Sequence, residues 1–148
     1  MKTPQLGAIG WRRRTSSQSA GGNLALATAI AARDGGVQMP LHVPAVYPVG
    51  QTGNLDTQSY QDSATAKPLN KAMIGWFVDK LLAKPADKSD PRLDLVNAKL
   101  TGLPPVTIIN AQIDPLREDG ALLEAALKKA GVKVASRSLE IAVRPHRR

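Results

Sequence analysis

The sequence predicts an α/β fold of about three parallel strands with flanking helices. Two observations carry this. Apolar runs of strand length alternate with longer runs of helical spacing, and at least one candidate helix separates each pair of candidate strands. The chain has 148 residues, the size of one domain. A chain of this length buries roughly 68–70% of its unfolded surface, enough for one core.

The first helix begins with "GGNLALATAIAA" from Gly21. It is small and apolar on nearly every side, as in a helix buried on most sides. It stops at "RDGG", where Arg33 suits the last turn and Gly35 and Gly36 suit a left-handed cap. A buried strand follows at 41–48, although Pro44 counts against a central place in a sheet. Residues 50–66 are polar and read as a loop. Pro68 opens the next helix at its first turn, and Met73, Trp76, Phe77 and Leu81 recur at helical spacing. The long segment "PADKSDPRLDLVNAKLTGLPP" has no regular period, and loops of that length are more often functional or disordered than neutral. "VTIINA" marks the clearest strand, at 105–111, rich in β-branched residues. "LREDGALLEAALKKAG" is an amphipathic helix with acids early, lysines late and Gly131 as its stop. The third strand, 132–139, alternates as an edge strand does.

Composition narrows the chemistry. The chain has no cysteine, which excludes disulfides and thiolate metal sites. Its two histidines, His42 and His146, form no spaced ligand cluster, so no metal and no cofactor is expected. No stretch could span a membrane, and "LGAIGW" is too short for a secretory core, so the expected location is cytoplasmic. The net charge of +8 belongs to the two ends. Lys2, Arg12, Arg13 and Arg14 meet no acid within 1–16, and five basic residues face only Glu140 within 133–148. The middle is balanced and lacks aromatic residues interleaved with its bases. A nucleic-acid face would carry its charge on the folded body. The ends therefore read as solvated tails, and neither nucleic acid nor membrane is expected as a partner. The organisation read is a basic segment at 1–16, a folded domain at 17–140 and a basic tail at 141–148.

Three features fall in a meaningful order. Ser19 in "SAGG" precedes a helix at once, as a serine nucleophile does on a strand-to-helix turn; the next backbone N–H, from Ala20, is then an oxyanion donor. Asp114 in "QIDPLREDG" follows the strongest strand, where an α/β sheet presents its chemistry. His146 lies near the C-terminus. Serine, aspartate, histidine is the chain order of the α/β-hydrolase triad. Each has a structural alternative: Ser19 as a small turn residue, Asp114 as a helix cap, and His146 as a tail residue. Met73, Trp76 and Phe77 read equally as a buried helix stripe, and His42 as a packed histidine.

The stretches "SAGGNLA", "AVYP", "WFVDKLL", "DPR", "GLPPVTIINAQIDPLREDG" and "LLEAALKKAGVKV" resemble the C-terminal half of a bacterial hormone-sensitive-lipase-like esterase of the α/β-hydrolase fold. The resemblance runs from Ser19 to about Glu140 and implies a partial α/β-hydrolase fold. It implies a carboxylesterase acting on short acyl esters, with Ser19 as nucleophile, Asp114 as triad acid, and Trp76 and Phe77 beside the acyl pocket. Asp119 would not be the acid. The chain also departs from the family. Ser17 and Gln18 stand where the family has glycine and an acid, no HGGG-type loop precedes Ser19, and Arg144 takes the expected histidine place, with His146 two residues later. A truncated, catalytically inactive fragment lacking the oxyanion loop and an in-place histidine is the alternative. The edge of strand 41–48 is expected to be poorly covered and prone to self-association.

Overall fold

The structure is a computed structural model that describes residues 17–140. Four parallel strands form one sheet in the order β1 (Ser17–Gln18), β2 (Val43–Val46), β3 (Val106–Ala111) and β4 (Val134–Leu139). The three predicted strands are present, and the two-residue β1 adds a fourth beside β2. Only Ser17 and Gln18 of the stretch leading into the serine turn are described; Arg12, Arg13 and Arg14 lie outside the described residues. Every neighbouring pair of strands is joined by a helical crossover, as parallel strands require. α1 (Ala20–Asp34) links β1 to β2, and α4 (Arg117–Lys129) links β3 to β4. Between β2 and β3 run α2 (Gln58–Asp62), α3 (Lys71–Leu81) and two 3₁₀ turns, Pro85–Ser89 and Leu95–Asn97.

Pro44 sits inside β2 without breaking the ladder. The amides of Val43 and Tyr47 donate toward β3, to Pro105 and Ile109. Strand alternation then turns residue 44 the other way, toward the flank on which, among the described residues, β1 pairs with Ala45 and Val46. Its missing N–H therefore costs no bond to β3.

Two expectations need correction. The polar stretch 50–66 is not all loop, because it holds α2; a helix of five residues leaves almost no periodicity to read. Pro68 does not open α3. The helix starts at Lys71, and Asn70 caps it by accepting the Met73 amide at 2.9 Å.

The main core lies between the sheet and the helices α1 and α4. Leu26, Ala29 and Ile30 of α1 and Leu123 and Leu127 of α4 bury against Val43, Ala45, Val106 and Ile108. A smaller cluster of Tyr60, Ile74, Val78 and Leu116 joins α2 and α3 to the start of α4. This second cluster stands at the C-terminal ends of the strands and supports one wall of the site.

Candidate active site

Ser19 occupies the one-residue gap between β1 and α1 with φ 56° and ψ −125°. A left-handed φ at a non-glycine residue costs on the order of 1–3 kcal/mol and must be held by its surroundings. The Ser19 amide donates to the Val46 carbonyl at 2.9 Å, and the Ser19 carbonyl accepts from Gly22 at 3.0 Å and from Val49 at 3.3 Å. Side-chain space is equally tight. A Cβ on Gly21 would lie 1.9 Å from Ser17 Oγ, and one on Gly22 would lie 3.0 Å from Pro48 Cβ. The glycines let the helix start close under the strand ends. Ala20 is the first residue of α1, so its N–H has no acceptor within the helix and sits at the positive end of the helix dipole.

Ser19 and Ala20 open on a cavity of about 560 Å³. Leu24 of α1, Ile74, Phe77 and Leu81 of α3, and Leu93 and Leu116 form most of its wall. Two other polar side chains reach the wall, and both are already engaged. Asn23 Nδ2 donates to the carbonyls of Val49 at 2.9 Å and Leu93 at 2.8 Å. Thr52 Oγ1 donates to the Lys88 carbonyl at 2.7 Å. Trp76 stands outside this wall. It is 57% exposed, packs edge-on to Phe77 with centroids 5.3 Å apart, and carries Lys80 Nζ 5.9 Å above its ring.

Asp114 follows β3 by three residues, at the end of the sheet where Ser19 stands. Its Oδ1 accepts the Leu116 amide at 2.7 Å, and its carbonyl accepts the Arg117 amide at 3.1 Å. Partial burial pushes its carboxyl above the ordinary aspartate value, and the Leu116 N–H opposes the shift. The loop is laced to α2. Ser59 Oγ donates to the Pro115 carbonyl at 2.8 Å, and the Ser59 amide donates to Glu118 Oε2 at 2.7 Å.

Asp119, on the first turn of α4, is fully buried. Its Oδ2 accepts from the Gly50 amide and the Tyr60 hydroxyl, both at 3.1 Å. Burial raises its carboxyl to about 6, and these donors hold it from rising further. The Tyr60 phenol is raised in turn, by burial first and by Asp119 second. Asp119 and Asn23 tie the cavity loops together, and the sequence reading missed both roles. The signals were present. Asp119 falls on the apolar stripe with Leu116, Leu123 and Leu127, and Asn23 is a polar amide in a helix read as buried on most sides; a buried polar group needs partners.

His42 precedes β2 at the other end of the sheet, with Nε2 2.9 Å from Thr107 Oγ1. Four residues of extended chain, about 13 Å, separate it from Val46 beside the serine turn. His146 lies outside the described residues. Among the described residues no group of three histidine, aspartate or glutamate side chains is placed to hold a metal ion, and no helix is long and apolar enough to cross a membrane.

Residues 17–143 match the family described as alpha/beta hydrolase fold. The chain is 34% identical over 134 residues to "Carboxylesterase NlhH" of Mycobacterium tuberculosis, covering 88% of this chain and 42% of that protein. It is also 34% identical to "Carboxylic ester hydrolase LipN" of the same organism, covering 91% of this chain and 37% of that one. Thus the chain spans about two fifths of the length of the curated relatives it matches. Among solved structures, a hyperthermophilic esterase from the archaeon Pyrobaculum calidifontis superposes with a TM-score of 0.82 at 32% identity, over 86% of this chain and 42% of that one. EstE1, a thermostable carboxylesterase cloned from a metagenomic library, gives 0.80 at 29% identity, over 88% and 45%. With a strained serine between strand and helix, a parallel sheet around it and a family match from residue 17 onward, the chain belongs to the alpha/beta hydrolase fold family.

Proposed function

We propose that the chain carries the nucleophile and the acid of a carboxylic ester hydrolase of the serine type, acting on short acyl esters. The single observation that carries this reading is Ser19, held at positive φ on a strand-to-helix turn and opening with the Ala20 N–H on an apolar cavity. The relatives named carboxylesterase and carboxylic ester hydrolase support it.

In this mechanism Ser19 Oγ attacks the ester carbonyl and gives its proton to a histidine, for which His146 is our assignment. Asp114 accepts the other imidazole N–H and holds the ring in its working tautomer. The Ala20 N–H donates to the oxyanion of the tetrahedral intermediate. Collapse expels the alcohol, which takes the proton from the histidine, and leaves the acyl group on Ser19. Water then attacks the acyl-enzyme by the same route and releases the carboxylic acid. No cofactor enters. Phe77 and the aliphatic wall receive the acyl chain. Asn23 and Thr52 are engaged by backbone carbonyls, and among the described residues no charged side chain lines the wall, which suits an uncharged acyl chain.

One observation favours a second reading, a non-catalytic α/β unit: the histidine among the described residues, His42, stands at the far end of the sheet. Hydrolysis of p-nitrophenyl acetate and butyrate decides between them. The esterase reading expects turnover in the native chain, loss of it in Ser19→Ala, and a fall of about 10³-fold or more in Asp114→Ala and His146→Ala. Turnover that survives Ser19→Ala overturns the reading, and no turnover in the native chain supports the second.

A further inference from the structure

Ser19 and Tyr47 are the two non-glycine residues with positive φ among the described residues, at 56° and 34°. For a bulky residue such a φ is a genuine outlier. The two stand at adjacent strand ends and are bound to each other's neighbours. Gln18 pairs with Val46 in the β1–β2 register, and the Ser19 amide donates to the Val46 carbonyl at 2.9 Å. The next residue along β2, Tyr47, anchors its own amide on the Ile109 carbonyl of β3 at 2.6 Å. Its hydroxyl reaches back across the strands and donates to Gln18 Oε1. Pro48 follows and packs on Gly22 at the start of α1. Tyr47 therefore touches the serine turn on one side and is fixed to the central strand on the other.

We infer that Tyr47 is a positioning residue for Ser19, acting through the side chain of Gln18. The inference rests on the reading of Ser19 as nucleophile and deepens it. Among the described residues β1 comprises Ser17 and Gln18, and Gln18 is the one directly joined to the strained turn. The phenol–amide bond adds a side-chain attachment between the two strand ends, at the residue directly before the serine. Tyr47 touches no substrate in this scheme. It keeps Ser19 Oγ and the Ala20 N–H aimed at one point.

The test compares Tyr47→Phe, Gln18→Met, their double variant and Gln18→Glu in the full chain. Gln18→Glu keeps an acceptor for the phenol. The readouts are hydrogen exchange of the Ser19 amide, measured against core amides such as that of Ile108, and, where turnover is measurable, kcat and KM. The inference expects each single loss to speed Ser19 exchange by about 2- to 12-fold, the span of one neutral hydrogen bond. The double variant adds nothing further, Gln18→Glu retains native protection, and Ile108 is unchanged. Where the chain hydrolyses esters, kcat falls by a similar factor and KM stays. Unchanged Ser19 exchange, additive effects in the double variant, or a rise in KM alone overturns it. A native chain without hydrolysis that shows the expected exchange pattern overturns the esterase reading, and leaves Tyr47 as a tether of the Ser19 turn with no catalytic consequence.

Discussion

Ser19 stores strain that a glycine would not feel. At φ 56° and ψ −125° the Cβ is the source of the cost. Ser19→Gly is therefore expected to raise stability by about 1 kcal/mol while abolishing any hydrolysis, measured by urea unfolding and an ester assay on the same preparation. Gly21 carries the opposite constraint. Its missing Cβ makes room for Ser17 Oγ, 1.9 Å from where that carbon would stand. Gly21→Ala is expected to destabilise by about 1–3 kcal/mol through overpacking, and Ser17→Gly in the same chain to restore most of the loss. An unrescued Gly21→Ala would show that the clash lies elsewhere. The sequence marked Ser17 as a departure from the glycine of the resembling family. In the fold, Gly21 is what accommodates it.

Among the elements, α3 depends on its cap and in turn forms much of the cavity wall. Asn70→Ala leaves the Met73 amide without its acceptor and is expected to cost about 1 kcal/mol. The same change should loosen Ile74 and Phe77 against the cavity, so that KM rises more than kcat falls in ester kinetics. The long elements were legible in the sequence because each repeats its signal. β3 has its β-branched run, α1 its small apolar residues, and α4 its charge gradient. α2 was not legible. It exists because Ser59 and Tyr60 bury their polar ends on Pro115, Glu118 and Asp119, residues more than fifty positions away. The start of α3 was misplaced for a related reason, since Pro68 and Asn70 are both valid start signals and only packing chooses between them.

At the scale of the whole molecule, Asp119 binds the loop after β2, α2 and α4 into one body, at an electrostatic cost. Its carboxyl titrates at about 6 when folded, against an ordinary value of 3.8. Between about pH 4 and 6 the folded chain keeps a proton that the unfolded chain has lost. Its contribution to stability therefore falls as pH rises through that window and levels off above it. The full effect is on the order of 3 kcal/mol. Asp119→Asn keeps an acceptor for Gly50 and Tyr60 and removes the charge. The difference in urea midpoint between pH 4 and pH 7 is expected to shrink in that variant, with a gain in stability at pH 7. An unchanged pH profile would show that Asp119 does not carry the effect.

The proposed hydrolase function requires Ser19 to be an activated nucleophile. Fluorophosphonate labelling of the native chain, read by intact mass and peptide mapping, tests this most directly. One adduct is expected, located on Ser19, formed far faster than on the unfolded chain and absent in Ser19→Ala. No adduct on the folded native chain, or an adduct that persists in Ser19→Ala, would contradict the account.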